Sequence, residues 1–277
     1  MSEIDLKKQL RVFVINREKD EVRREEMTKR LNDVGLEFEF FKAVDGHAID
    51  ARNCPEYDGE KRRLIFGRDL SAGEIGCLLS HRSICLKMIE ETIPVAMVLE
   101  DDTHLKPELP AVLSGLLQME LKWDMIRFLS RKKVLSGTQR RVASLTPEYD
   151  LVRIQATPGG AYAYLLTLDA AKAIAAHTQR NWLPIDALQS RTWQLGLEVF
   201  MTNPSPVIVD NEVPSTIGDV RFDKKVEISG VKRILHPFFR AWFKWENGWN
   251  KRREYKRKQD FDEKLALENG LGGPQKK

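Results

Sequence analysis

"VAMVLEDDTHL", residues 95–105, is the stretch on which the fold turns. Val95, Ala96, Met97, Val98 and Leu99 form an unbroken apolar run behind Pro94, and Glu100, Asp101 and Asp102 follow with no spacer. A short run that is apolar at every position, not at alternate ones, predicts a strand buried on both faces. Three adjacent carboxylates repel one another unless a cation or donor groups lie among them. A strand that simply ends at solvent also accommodates acids, so the neighbouring segments decide between the two.

Towards the N-terminus, "RVFVIN" (11–16) predicts a strand, "REKDEVRREEMTKRL" (17–31) a charged surface helix, and "LEFEFFKAVDG" (36–46) a second strand closed by Gly46. Strand, helix, strand is a βαβ opening and favours an α/β fold with parallel strands. Residues 47–70 are charged and irregular and read as a surface loop. Ser71 with Glu74 then makes a capping box at the head of "SAGEIGCLLSHRSICLKMIEE", a helix that feeds the apolar run. Beyond the acids, a helix is expected over 107–120, a strand in "WDMIRFL", and a polar loop over 130–148 that could act as a lid. "GGAYAYLLT" predicts a strand, "LDAAKAIAAHT" a helix, "LPIDALQSRTWQLG" a helix from Pro184, and "LEVFMTNPSPVIV" two short strands broken by prolines. Open α/β sheets bind ligands beyond the carboxyl ends of their strands, and Asn16, Asp45 and Glu100 to Asp102 all fall at such ends.

The 277 residues, 42% hydrophobic and 31% charged, suit one large α/β domain with a substantial core. No apolar run has the length of a membrane span, and the N-terminus lacks the apolar region of a secretion signal. Cys54, Cys77 and Cys85 lack CxxC spacing, so neither a disulfide framework nor a zinc site is expected. Cys77 and Cys85 read as buried thiols, and the compartment as cytoplasmic. The net charge of +4 conceals an asymmetry: between Lys232 and Lys258 ten basic residues face two acidic ones. Trp242, Trp245 and Trp249 lie in the same segment. The expected organisation is a catalytic body over 1–229, a basic, aromatic helical arm over 230–268 and a disordered tail over 269–277. With Pro237 in the first helical turn, Phe238, Trp242, Trp245 and Trp249 form one stripe, and Arg240, Lys244 and Lys251 lie opposite. Such a helix suits an anionic membrane surface, and packing onto the body as a core helix is its alternative. The body shows no basic face in sequence, so nucleic acid is not an expected partner.

Clustered acids at a strand end suit Mg²⁺ or Mn²⁺ shared with substrate phosphates. No Walker A or GxGxxG sequence occurs, and the acids lack EF-hand spacing. His81 reads as a buried, hydrogen-bonded histidine. Gly159 and Gly160 turn the chain or admit a sugar close to the backbone, Arg23 belongs to a charge run, and Asp186 is a helix-capping residue or a general base.

In their order, "VFVINREKDEVRRE", "FFKAVDG", "LSAGEIGCLLSHRSI", "VAMVLEDD", "GGAYAYLLTLDAAKAI" and "LPIDALQSRTWQLGLEVF" resemble glycosyltransferase family 25, the lipooligosaccharide-biosynthesis transferases related to collagen galactosyltransferases. The resemblance spans roughly residues 11–210. It implies a single GT-A-like, Rossmann-like domain with a mixed, mainly parallel sheet, an inverting mechanism, and a UDP-sugar donor, commonly UDP-galactose. By that likeness Asp102 holds the metal, joined by Asp101, while Glu100 and Asp101 face ribose or metal-bound water. Asn16, Arg23, Asp45 and Gly160 would lie at the nucleotide sugar. Arg17 stands where the family usually carries leucine. A base is needed opposite the departing UDP, and Asp186, in a separate motif, is the candidate. The implied acceptor is a saccharide or glycolipid, at the inner face of the cytoplasmic membrane. A non-catalytic sugar- or membrane-binding protein and a metal-dependent phosphoesterase are the rival functions.

Overall fold

The computed structural model describes residues 6–130, 136–156, 159–209 and 230–271. Its strands are β1 (Arg11–Asn16), β2 (Glu39–Lys42), β3 (Val95–Glu100), β4 (Thr103–Leu105), β5 (Met125–Arg127), β6 (Gln139–Ser144), β7 (Asp150–Ile154), β8 (Ala163–Thr167), β9 (Val199–Asn203) and β10 (Val207–Val209). Eight of them form one sheet in the order β2-β1-β3-β8-β5-β9-β7-β6, and β4 pairs separately with β10. β8 and β7 run against their neighbours, so the other six strands all point one way. This is the mixed, mainly parallel sheet of the expected α/β domain.

The apolar run is β3, and it is buried on both faces as its sequence predicts. Alternation along a strand sends successive side chains to opposite faces. Ala96 and Val98 pack with Leu78, Ile84 and Met88 of the helix Ala72–Glu90 and with Ile174 of the helix Leu168–His177. Met97 and Leu99 pack with Val12, Val14, Met27, Leu31 and Leu113 on the other face. Each fully buried valine, leucine, isoleucine or methionine among them is worth roughly 1.5–3 kcal/mol. Continued by one step, the same alternation turns Glu100 towards the helix Ala72–Glu90 and Asp101 towards the helix Glu21–Asp33.

The capping box is formed: Glu74 N–H donates to Ser71 Oγ at 3.2 Å and Ser71 N–H to Glu74 Oε2 at 2.8 Å. The helix it starts docks against the turn after β2 through two glycines. A Cβ on Gly46 would sit 1.7 Å from the Ala72 carbonyl oxygen, and one on Gly76 would sit 2.6 Å from that of Val44. No other residue permits these two backbones to touch.

The structure corrects four expectations. Residues 47–70 are not one loop: Gly46–Ala48 is a 3₁₀ turn and Gly59–Phe66 an α-helix, capped by Asp58 and ended at Gly67 with φ +78°. Its charges conceal a tertiary role, since Phe66 meets Trp182 and Phe243. Within the predicted loop 130–148, residues 139–144 form β6, whose register shifts between Arg141 and Ala143 and so hides its alternation; residues 131–135 lie outside the described residues. The helix after Pro184 is interrupted, running Ile185–Gln189 and then Thr192–Leu195. The C-terminal helix spans Gly230–Arg257 and therefore holds Pro237 in its interior, not in its first turn. Of the expected tail, residues 272–277 lie outside the described residues.

This long helix presents two different sides. Towards the body, Phe243 packs on Phe66 and Trp182, Glu246 pairs with Arg191 at 2.8 Å, and His236 meets the Leu64 carbonyl. Arg240 and Lys251, expected on a solvated side, also turn inward: Arg240 lies over the Phe66 ring, and Lys251 is drawn down to about 8 by burial and by Arg127 and Arg191. The aromatic stripe faces out, with Phe238 70%, Trp242 62%, Trp245 56% and Trp249 46% exposed. The helix Gln259–Glu268 follows and is anchored by Asp262, 1% exposed. Its carboxylate accepts from Arg140 and Arg153, Arg153 also pairs with Glu198, and Lys258 joins Glu198. No helix among the described residues is long and apolar enough to cross a membrane.

Candidate functional site

The carboxyl ends of β1, β2 and β3 lie side by side, with Ile15 level with both Phe41 and Glu100. They open a crevice roofed by the head of the helix Ala72–Glu90 and lined by Arg23, Asp45, Cys77, Glu100, Asp101 and Asp102, among others. The three consecutive acids meet three different surroundings there.

Asp101 is committed to the protein. Its Oδ2 accepts from Asn16 Nδ2 at 2.8 Å and its Oδ1 from Arg23 Nη1 at 2.9 Å. Burial disfavours the Arg23 charge, but the bond to Asp101, aided by Asp102 and Asp20, raises its pKa above the ordinary arginine value. Arg23 is thus part of the crevice wall and not a member of a solvated charge run. Asn16 and Arg23, expected at the nucleotide, are first of all the partners that hold Asp101. Both Asp101 oxygens thus have protein donors, whereas Asp102 keeps an oxygen with none.

Asp102 is the opposite case. Burial, then the charges of Glu100 and Asp101, push its carboxyl up to about 6 against the pull of Arg23. Its Oδ1 is buried without a hydrogen-bond partner. A half-buried carboxylate with one buried, orphaned oxygen, close to two other acids, fits a hard divalent cation, which would remove both penalties. Glu100 turns to the helix, where its Oε1 lies 3.6 Å from His81 Nε2 and 4.0 Å from Cys77 Sγ. His81 is buried as expected, with Nδ1 2.7 Å from the Tyr164 hydroxyl. Cys77, expected among the buried thiols, instead lines the crevice, whereas Cys54 and Cys85 are buried.

Arg17, the residue that replaces the usual leucine, pairs with Asp20 at 2.6 Å on the crevice wall. Asp45 caps the 3₁₀ turn by accepting from His47 N–H at 3.0 Å. Asp186 and Gly160 lie together outside the crevice lining. Asp186 Oδ2 accepts from Gly160 N–H at 3.0 Å and its Oδ1 from Ala187 N–H at 2.7 Å. Gly160 has φ +115°, which disfavours any side chain, and a Cβ on Gly159 would come 2.5 Å from Asp186 Oδ2. The wholly buried Arg127 donates to the Gly160 carbonyl; burial lowers it to about 10, against the favourable charge of Asp186. Cys77 lies in the crevice lining, and its thiol is raised well above the usual range by burial and then by Glu100, Asp186, Glu74 and Asp102.

The structure therefore brings the strand-end acids, Arg23 and Asp45 into one crevice, with Asn16 bonded to Asp101 and with Asp186 paired to Gly160 outside the lining. Sequence reasoning missed Cys77, Arg127 and Tyr164 as parts of this site, and the two glycines that lock the crevice roof. The i, i+4 spacing of Cys77 and His81 on one helical face was a legible signal.

Comparison with known proteins gives the family. The sequence model of glycosyltransferase family 25, described as LPS biosynthesis protein, matches residues 9–189. A glycosyltransferase 25 family member of Drosophila pseudoobscura pseudoobscura is 29% identical over 187 residues, covering 63% of this chain and 28% of that protein. Human procollagen galactosyltransferase 2 is 27% identical over 185 residues, covering 63% of this chain and 29% of that protein. Procollagen galactosyltransferase 1-B of Xenopus laevis is 34% identical over 131 residues, 44% of this chain and 21% of the relative. The match thus spans less than a third of these longer relatives. With the family's sequence model covering well over half of the chain, and a mainly parallel α/β sheet consistent with a GT-A-like domain, the protein belongs to glycosyltransferase family 25.

Proposed function

We propose that the protein is an inverting glycosyltransferase that moves a hexose, galactose from UDP-galactose, onto a saccharide of a glycolipid acceptor such as lipooligosaccharide. The observation that carries this reading is Asp102, a half-buried carboxylate with one buried, orphaned oxygen, beside Glu100 in a crevice at the strand ends. The names of the relatives support galactose, and the family description supports the lipopolysaccharide setting.

Asp102, with Glu100 beside it, would hold Mn²⁺ or Mg²⁺, which supplies positive charge for the leaving diphosphate. Asp101 acts differently. Fixed by Asn16 and Arg23, it holds the β1 and β3 ends in register and keeps the Arg23 guanidinium at the crevice. Asp45 and the Gly46 turn line the side where a nucleoside would lie. Asp186 takes the proton from the acceptor hydroxyl as that oxygen bonds to the anomeric carbon and the bond to the UDP oxygen breaks. Gly160 N–H and Ala187 N–H orient its carboxylate. The exposed stripe Phe238–Trp242–Trp245–Trp249, continued on the same face by Arg252, Arg253 and Lys256, supports docking on the anionic inner face of the cytoplasmic membrane. The body over 1–229 would then carry the chemistry and the arm over 230–268 the surface attachment.

The test is UDP release from a panel of UDP-sugars, with and without Mn²⁺, and with a lipid-linked oligosaccharide, a procollagen peptide or no acceptor. Release from UDP-galactose that needs both the metal and the lipid-linked acceptor is expected. Preference for procollagen would move the acceptor assignment, equal release without acceptor would favour a phosphoesterase, and no release from any donor would leave a non-catalytic binder.

A further inference from the structure

We propose that Cys77, His81 and Glu100 form a second cation site, one for a thiophilic metal of which Zn²⁺ is the chief example. One thiol, one imidazole and one carboxylate are a mixed set that suits zinc better than magnesium, calcium or manganese. Cys77 and His81 are four residues apart on the helix Ala72–Glu90 and so project from one face, and Glu100 meets them from the end of β3. The three donor atoms all lie within 4.8 Å of one another, with Glu100 Oε1 3.6 Å from His81 Nε2 and 4.0 Å from Cys77 Sγ. Donors bound tetrahedrally at about 2.0–2.3 Å from zinc are themselves about 3.3–3.8 Å apart, so side-chain shifts of up to about 1 Å close the site.

The second observation is the state of His81. The residue is 1% exposed, yet Nε2 is buried with no hydrogen-bond partner. Its other nitrogen is engaged with the Tyr164 hydroxyl at 2.7 Å. With the proton on Nδ1 and directed at Tyr164, Nε2 keeps its lone pair and aims it between Glu100 and Cys77. An outer partner on the far nitrogen is the usual orienting device of a metal-bound histidine. The fourth position opens to the crevice, where water or a substrate oxygen fits. Binding displaces the Cys77 proton to solvent, so occupancy falls as pH is lowered. This site is distinct from the hard-cation seat at Asp102, though Glu100 borders both, and it stands whether or not the crevice carries out sugar transfer.

Titration of the intact, metal-free protein with Co²⁺ as a zinc surrogate tests it. The expected result is a thiolate-to-cobalt charge-transfer band in the near ultraviolet that saturates with one equivalent of Co²⁺ at this site and that Zn²⁺ abolishes. Cys77→Ser should remove the band, and His81→Gln should weaken Zn²⁺ binding in chelator competition by about 10-fold or more. Asp102→Asn should leave the band in place. In the wild-type protein, Zn²⁺ but not Mg²⁺ should protect Cys77 from alkylation, read by peptide mass spectrometry. No band in the wild type, a band that survives Cys77→Ser, or equal protection by both metals overturns the proposal.

Discussion

At the residue scale, Asp102 combines a stability cost with a proposed function. Its folded pKa of about 6 lies above the ordinary aspartate value of 3.8. Between those values the folded protein holds a proton that the unfolded chain has lost, so stability declines as pH rises from about 4 to about 6 and then levels off. A shift of about two units corresponds to roughly 3 kcal/mol. Asp102→Asn mimics the neutral form. Without metal it should therefore stabilise the protein at pH 7.5 by on the order of 2–3 kcal/mol and lose that gain near pH 4, measured by urea unfolding. The same substitution should abolish metal-dependent turnover. Destabilisation at pH 7.5 would mean that the carboxylate is paired in the metal-free protein.

Asp186 makes a second case at this scale. Asp186→Asn keeps the shape but cannot accept a proton, so kcat should fall about 100-fold or more with donor affinity retained. Gly159→Ala offers an independent approach, because the added methyl would crowd Asp186 Oδ2. It should lower kcat in the same direction while the far-ultraviolet circular dichroism stays unchanged. An unaltered kcat in both variants removes Asp186 from the chemistry.

At the scale of elements, the long helix Gly230–Arg257 separates packing from surface display. Phe243 lies in an aromatic cluster with Phe66 and Trp182, at centroid distances of 5.3 Å to each. Trp245 and Trp249 stack on one another at 6.1 Å while facing solvent. Replacing Trp242, Trp245 and Trp249 together by serine should change unfolding free energy by less than about 0.5 kcal/mol per site. Affinity for anionic vesicles should drop about 10-fold or more in a flotation assay. Phe243→Ala should do the reverse, costing about 2–4 kcal/mol of stability, as truncation of a partly buried aromatic does. Triple-serine protein that still floats with vesicles would assign the stripe to something other than lipid.

At the scale of the whole molecule, the buried ion cluster at Asp262 ties the last helix to the far edge of the sheet. Asp262 meets Arg153 and Arg140 across 109 and 122 residues of chain. Removing the anion leaves Arg140 without its counter-charge and Arg153 with Glu198 alone, and Asp262→Ala should cost about 3–5 kcal/mol and lower the unfolding midpoint accordingly. For the same reason, deletion of the arm is a poor test of membrane docking, and the exposed tryptophans are the better handle. If Asp262→Ala unfolds at the wild-type denaturant concentration, the C-terminal helices are not part of the cooperative unit.

The sequence by itself determined the elements whose stability is local or follows a simple period. The unbroken apolar run made β3 a strand buried on both faces, Ser71 and Glu74 started the helix, and the acids at the strand end marked the crevice. The ordered motifs were enough to recognise the family. What each acid does was decided only by tertiary structure, because its partners are distant in the chain: Arg23 and Asn16 reach Asp101 from 78 and 85 residues away. The same holds for the union of Cys77, His81 and Glu100, and for the glycines that let Asp186 approach the Gly159–Gly160 backbone. The helix Gly59–Phe66 escaped the sequence reading for a related reason. Its charged surface carries no strong period, and it is held by Trp182 and Phe243, residues that only the folded chain brings to it. Periodicity records which face of an element is buried, whereas the identity of the group across that face is fixed by packing between distant segments.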